Sequence, residues 1–281
     1  VGKETWMAGM MDGKVVVIIG GTSGLGLSAA GACVAAGARV VVTGRDAAKV
    51  RSVEQALGDA VRGVVGDARE PGAAEAAIEA GRTAWGRFDG LYHVAGGSGR
   101  RHGDGPLHAL TDDGWGRTLE WNLGSVFLSN RAAARVLRES GHGGSVVNCG
   151  SVLGWSPSPR HFSTHAYAAA KAGIIGLTRA AAATYAPESI RFNVVAPGLV
   201  ATPMSARAQA DEEIQGYIRG KQPLDGGRMG QPEDLDGVVT WLLSDAARFV
   251  TGQVIAVDGG WGVSDGGGLP GLSGGMGRAR G

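Results

Sequence analysis

Short runs of β-branched apolar residues alternate with longer Ala- and Leu-rich stretches, from residue 14 to residue 257. The runs predict strands at 14–20, 38–43, 61–65, 88–94, 145–149, 190–196 and 253–257. Between them the spacing predicts helices over 25–36, 46–57, 70–85, 111–139, 164–185 and 232–244. The third of these carries breakers at Pro71, Gly72 and Gly81, and the fourth has Thr111 as an N-cap. A repeating β-α-β order implies a parallel sheet, because parallel neighbours need crossovers and helices supply them. The strands are nearly unbroken Val/Ile runs, such as Val15–Ile19, as expected when both sheet faces are covered. The pattern predicts one doubly wound α/β domain of about seven parallel strands over residues 12–260. Residues 1–11 read as an N-terminal extension and 261–281 as a Gly-rich tail, a loop or a partly disordered arm.

Composition narrows the function classes. The formal net charge of +1 offers no basic excess for nucleic acid or an anionic membrane surface. The longest apolar runs reach only about five residues, against the ~20 that a membrane span needs. Cys33 and Cys149 form no disulfide framework and read as buried free thiols. With no signal-peptide pattern near residue 1, the expectation is a soluble, cytoplasmic protein.

The first strand runs directly into Gly20-Gly21-Thr22-Ser23-Gly24-Leu25-Gly26, which opens the first helix. A helix N-terminus offers unpaired N–H groups and a favourable dipole to a pyrophosphate. Glycine allows both the sharp turn and the close backbone approach that such a ligand requires. In a chain with 51 glycines the motif alone is weak; its place after the first strand gives it weight. The second strand ends Thr43-Gly44-Arg45, with Gly where a ribose-binding carboxylate would stand and Arg beside it. That favours NADP(H), with NAD(H) as the alternative. Asp46 follows and reads as a helix cap. Asp67, after the third strand, reads either as a contact to the adenine edge or as a turn former.

Tyr167 and Lys171 stand four apart in a helical stretch and so share a face. A free phenol is a poor acid–base catalyst at neutral pH, but an ammonium one turn away favours the phenolate. Tyr167 then exchanges a proton with a carbonyl or carbinol oxygen. Ser151 ends the fifth strand, where open α/β sheets bind ligands, and reads either as a substrate-holding hydroxyl or as a cap. Asn122 is a poor helix former inside a long helix. It reads either as a satisfied buried amide or as part of a water chain to Lys171.

These residues together resemble the short-chain dehydrogenase/reductases of Rossmann fold, over roughly residues 12–260. Gly20-x-x-x-Gly24-x-Gly26 is similar to the family's T-G-x-x-x-G-x-G, and His93-Val94-Ala95-Gly96 to its N-N-A-G. Asn122 and Ser151 stand where the family has its helix Asn and its catalytic Ser. Tyr167-x-x-x-Lys171 matches its Y-x-x-x-K, and Pro197-Gly198 with Thr202 its P-G-x-x-x-T. The resemblance implies Tyr167 as acid/base and Lys171 as ribose ligand and tuner of Tyr167. It implies Ser151 as substrate-orienting hydroxyl and Asn122 as holder of a relay water. It implies a cofactor site made by Gly20, Thr22, Ser23, Gly24, Leu25, Gly26, Arg45, Asp67, Ala68, Ala95, Gly96, Lys171, Pro197, Gly198, Val200 and Thr202. A homotetramer or homodimer built on the helices at 111–139 and 164–185 is also implied.

Departures stand beside the match. Ile19 replaces a Thr, and His93 and Val94 replace two Asn, so a bridge between the turn and the fourth strand is either rebuilt or absent. A longer insert, residues 155–162, is expected to shape the substrate pocket. His161 and His165 lie four apart but lack a third ligand, so no metal is expected. Arg100, Arg101 and His102 form a small basic cluster that either meets a substrate anion or is simply solvated. Trp155, Met204, Tyr217 and Met229 read as pocket wall or plain core. The function expected is interconversion of a ketone and a secondary alcohol on a small-molecule substrate. The alternative is a silent cofactor sensor or scaffold on the same fold. A further alternative is enoyl reduction or diol dehydrogenation; the resemblance speaks against it, because the family's enoyl reductases usually space Tyr and Lys more widely than the three-residue gap between Tyr167 and Lys171.

Overall fold

The computed structural model describes residues 8–267. Its elements are β1 (Val15–Ile19), α1 (Gly24–Ala35), β2 (Arg39–Gly44), α2 (Ala47–Leu57), β3 (Val61–Val65), α3 (Ala73–Trp85) and β4 (Gly90–His93). There follow α4 (Asp112–Leu119), α5 (Ser125–Ser140), β5 (Gly144–Cys149), α6 (Pro159–Phe162), α7 (His165–Tyr185) and β6 (Ile190–Pro197). Then come α8 (Ala206–Ala210), α9 (Glu212–Lys221), α10 (Asp236–Leu243) and β7 (Val254–Val257). The seven strands form one sheet in the order β3-β2-β1-β4-β5-β6-β7, every pair parallel. The order reverses between β1 and β4, so a crevice opens there at the strands' C-terminal ends.

Strand periodicity divides the core. Val16 and Ile18 face a layer holding Ala29, Ala30 and Cys33 of α1 and Val239, Leu242 and Leu243 of α10. Val17 and Ile19, one residue out of phase, face Ala77 and Ile78 of α3 and Ala133 and Leu137 of α5. Both faces of β1 are buried, which is why it is apolar at every position. A smaller cluster of Val152, Ile214, Ile218, Met229 and Trp261 sits apart and ties α9 to the segment after β5.

Differences from the sequence reading have local causes. The third helix begins at Ala73, not at residue 70, because Gly72 takes φ +92° behind Pro71. Gly81 stays inside that helix, where a Cβ would press on Val15 and Val41 at 3.2 and 3.3 Å. The long helix at 111–139 is two helices joined by a π-turn, Glu120–Gly124. Thr111 caps its start by accepting from Gly114 N (2.9 Å). Helices α6, α8 and α9 fall outside the helices that the spacing predicts. Met11 and Trp261, which the sequence reading leaves in the flanking segments, are both fully buried. The remainder of the Gly-rich tail, 268–281, and residues 1–7 lie outside the described residues. Among the described residues no helix is long and apolar enough to cross a membrane.

Asp236, at the start of α10, accepts from Ser28 Oγ (2.8 Å), while its second oxygen is buried without a partner. Burial, with the charges of Glu233 and Asp234, raises its pKa from the ordinary 3.8 to about 6, against the opposing effect of the Ser28 bond. The folded chain therefore holds this proton more tightly than the unfolded one. Stability falls as pH rises from about 4 through about 6. Asp236→Asn is expected to raise neutral-pH stability by roughly 1 kcal/mol, discounted for the solvent that still reaches the group. Thermal melts at pH 7.5 and pH 4 check this: the gain should be present at the first and gone at the second.

Candidate active site

A cleft of about 690 Å³ opens at the sheet's switch point. It is lined by Gly20, Thr22, Ser23, Gly24 and Leu25 at one part, and by Ser151, Tyr167 and Lys171 at another. Every residue expected at the cofactor site lines it except Gly26. Gly26 lies beneath the turn instead, where a Cβ would collide with the carbonyl of Gly20. At Gly20, φ is +93° and a Cβ would stand 2.8 Å from Ala95 N. The α1 N-cap, Ser23, makes no side-chain cap bond, so the first turn meets the cleft uncapped. A glycine cradle below an uncapped helix start fits a dinucleotide's pyrophosphate. Thr202 closes the opposite side, with Cγ2 3.3 Å from the Cβ position of Gly24.

The bridge in doubt from Ile19 is rebuilt by backbone. Ile19 O accepts from Val94 N (3.0 Å) and Ala95 N (2.9 Å), and Thr43 Oγ1 accepts from Gly20 N (3.2 Å). Asp46 caps α2 by accepting from Ala48 N and Lys49 N, so it is committed locally. Asp67 accepts from Arg69 Nε, Nη2 and N, the turn-forming role, while also lining the cleft. The Arg69 hydrogen bonds hold the Asp67 carboxyl below the usual range despite partial burial. Arg45 is 4.0 Å from that carboxylate and packs over Trp121 at 5.7 Å, a residue the sequence reading missed.

Helix α7 presents Tyr167 and Lys171 on one face, with Lys171 Nζ 5.5 Å from the Tyr167 ring centroid. Lys171 Nζ donates to Cys149 O (2.8 Å) at the end of β5. Ser151 sits in the cleft and also caps the next turn, its Oγ accepting from Leu153 N (3.2 Å). Asp104, from the loop after β4, is buried and accepts from Ala166 N (3.0 Å) and Tyr167 N (2.9 Å). It thereby caps the first turn of the helix that carries Tyr167. Its sequence signal, one Asp in a Gly-rich loop, was invisible without the fold.

The π-turn supplies Asn122. Its Nδ2 donates to Gly97 O and Thr118 O (both 2.9 Å), and its Oδ1 accepts from Gly97 N (3.2 Å). The amide is thus satisfied and pins the Gly96-Gly97 loop. A π-turn at such a place is common at functional sites. Beneath it, His93 is buried. The ring lies 2.7 Å from Ser129 Oγ through Nδ1 and 3.2 Å from Ala95 O through Nε2. Ser125 Oγ also lies 3.2 Å from Nε2, so both ring nitrogens of His93 have hydrogen-bonding neighbours. Burial first, then the Lys171 charge, lower its pKa to about 3. A chain of amides and hydroxyls adjoins it: Asn130 and Asn148 pair reciprocally (2.8 Å each), and Asn148 donates to Thr178 Oγ1 (3.0 Å).

The insert behaves partly as expected. Phe162 and Thr164 line the cleft, whereas Trp155 does not. Met204 and Trp261 line it too, Met229 is core, and Tyr217 OH accepts from Ser158 Oγ (2.9 Å). His165 Nδ1 donates to Gly105 O (2.9 Å), and His161 packs on Tyr217 with ring centroids 4.9 Å apart. Among the described residues no three His, Cys, Asp or Glu side chains converge as a metal-binding cluster.

Comparison with known proteins agrees with this geometry. A family model described as enoyl-(acyl carrier protein) reductase matches residues 20–262. A Mycobacterium tuberculosis protein named (5R,7aS)-5-hydroxy-7a-methyl-1-oxo-2,3,5,6,7,7a-hexahydro-1H-indene-carboxyl-CoA reductase is 35% identical, covering 91% of this chain and 95% of its own. The cis-4-hydroxycyclohexanecarboxylate dehydrogenase of Sinomonas cyclohexanicum is 36% identical, over 88% of this chain and 96% of its own. The crystal structure of a 3-ketoacyl-(acyl-carrier-protein) reductase from Brucella melitensis complexed with NADH superposes with TM-score 0.79. It is 27% identical and covers 90% of this chain and 100% of that one. The chain belongs to the short-chain dehydrogenase/reductase family. It is an NAD(P)-dependent oxidoreductase.

Asp104→Ala strips two acceptors from the start of α7 and should cost about 1–2 kcal/mol in urea unfolding. His93 is neutral in the fold far below pH 6.5, where the unfolded chain takes up a proton. Stability is therefore lost as pH falls below about 6.5. A His93→Asn variant should show a flatter acid limb between pH 6.5 and 4 in equilibrium unfolding.

Proposed function

We propose that this chain interconverts a ketone and a secondary alcohol, with Tyr167 as the acid/base. The observation that carries the reading is Tyr167 and Lys171 sharing one face of α7 inside the cleft that starts at the glycine turn. A bound nicotinamide supplies or accepts the hydride. The Tyr167 hydroxyl gives a proton to the carbonyl oxygen during reduction and takes it back from the carbinol during oxidation. Lys171 places its Nζ 5.5 Å from the Tyr167 ring centroid and serves as ligand to the nicotinamide ribose. Ser151 orients the substrate oxygen, and Asn122 holds the loop and a relay water. The three-residue gap between Tyr167 and Lys171 favours ketone over enoyl reduction.

Gly20, Thr22, Ser23, Gly24 and Leu25 hold the pyrophosphate, with Gly26 permitting the helix to approach. Ala95, Gly96, Pro197, Gly198, Val200 and Thr202 bound the nicotinamide half, and Asp67 with Ala68 the adenine half. NADP(H) is the preferred cofactor. Gly44 offers no carboxylate to a ribose 2′-hydroxyl, and Arg45 is exposed and only loosely paired. Exposed Trp115 and Phe127 on α4 and α5 support a homodimer or homotetramer, which sedimentation measures directly. The two buried thiols, Cys33 and Cys149, are consistent with a cytoplasmic setting.

Tyr167→Phe should retain cofactor binding and lose about 10²–10⁴-fold in turnover on a ketone panel followed by cofactor absorbance. Unchanged turnover would refute the assignment. Arg45→Ala should cut the NADPH-over-NADH preference about tenfold, read as the ratio of dissociation constants.

A further inference from the structure

Two arginines from separate segments line the cleft and end on one oxygen. Arg100, in a turn after β4, donates from Nη2 to the carbonyl of His161 at 2.9 Å. Arg207, on α8, donates from Nη2 to the same oxygen at 3.1 Å. A carbonyl bears only a partial charge, so it accepts from both and neutralises neither. Partial burial, and then the neighbouring Arg207 charge, pull the Arg100 pKa below its ordinary value. Asp104 opposes that effect, but both of its oxygens are committed to Ala166 N and Tyr167 N. Among the described residues neither arginine has an ion-pair partner, whereas Arg69, Arg160 and Arg228 each hold a carboxylate. Phe162 and Met204 bring apolar surface to the same cleft.

We propose that Arg100 and Arg207 form a binding site for an anionic oxygen group on the substrate. That group is a carboxylate on a small keto or hydroxy acid, or a phosphate on the carrier of a thioester. Each guanidinium keeps donors beyond the one spent on His161, and its planar fork matches a carboxylate or phosphate edge. An anion placed there relieves the repulsion between two like charges, which Asp104 offsets only in part. The site deepens the ketone–alcohol reading and rests on it for what lies at Tyr167, but its anion affinity is measurable without turnover.

The test uses matched probes titrated calorimetrically into the full chain with NADPH present. Cyclohexanecarboxylate is compared with cyclohexanecarboxamide, and 4′-phosphopantetheine with pantetheine. At least one charged probe should bind about tenfold tighter than its neutral partner. The double variant Arg100→Gln/Arg207→Gln should bring that ratio near one, and Arg100→Lys/Arg207→Lys should restore part of it, with melting temperatures confirming folded protein. A preference for the acid alone assigns the carboxylate source, and one for the phosphate alone assigns the carrier. Equal binding within both pairs overturns the inference, as does a preference that survives the double Gln variant. Failure of the Tyr167→Phe experiment instead strikes the reaction reading and leaves these binding ratios standing.

Discussion

Helix α1 comes down so close to the end of β1 that a side chain at Gly26 would collide with the carbonyl of Gly20. That close approach sets where the helix starts, and with it where the uncapped N–H groups point. The same turn is fixed from its far side by Ile19 O, which accepts from both Val94 N and Ala95 N. A strand, a turn and a helix start are thus locked into one rigid corner at the switch point of the sheet. The end of the cleft proposed for the pyrophosphate exists because this corner tolerates no Cβ.

The reacting end is held differently, by buried polar groups that are each satisfied. Asp104 reaches from a loop to cap α7, so the helix bearing Tyr167 and Lys171 begins at a fixed point. Asn122 holds Gly97 from the π-turn, and His93 bonds Ala95 from below. Burying amides and an imidazole is costly unless every donor finds an acceptor, so the network admits few alternative arrangements. Rigidity at one end therefore comes from missing side chains, and at the other from completed hydrogen bonds.

Charge distinguishes the two ends further. Asp67, which lines the cleft, is already held by Arg69 and lies 4.0 Å from Arg45, and Asp104 behind it accepts from backbone amides, while among the described residues Arg100 and Arg207 have no ion-pair partner. The lining is consequently an anion-accepting surface with apolar patches at Phe162, Met204 and Trp261.

The strands, their parallel arrangement and the Tyr167–Lys171 pair were legible in the chain because each depends on local spacing: period two, continuous β-branched runs, and a separation of one helical turn. Thr111 as a cap was legible for the same reason. Groups that meet across long separations were not. The Asp104 cap joins positions 62 and 63 residues apart, Arg100 and Arg207 converge on the carbonyl of a third segment, and Trp261 is buried against the insert. The π-turn at Asn122 left no periodic signature, since one widened turn hardly shifts the apolar stripe on either side. Sequence alone determined the seven strands, most of the crossover helices and the shared helical face of Tyr167 and Lys171, because backbone sterics and burial act on neighbours. Tertiary structure decided which charges stay unpaired, because that depends on which distant groups arrive first at each donor and acceptor.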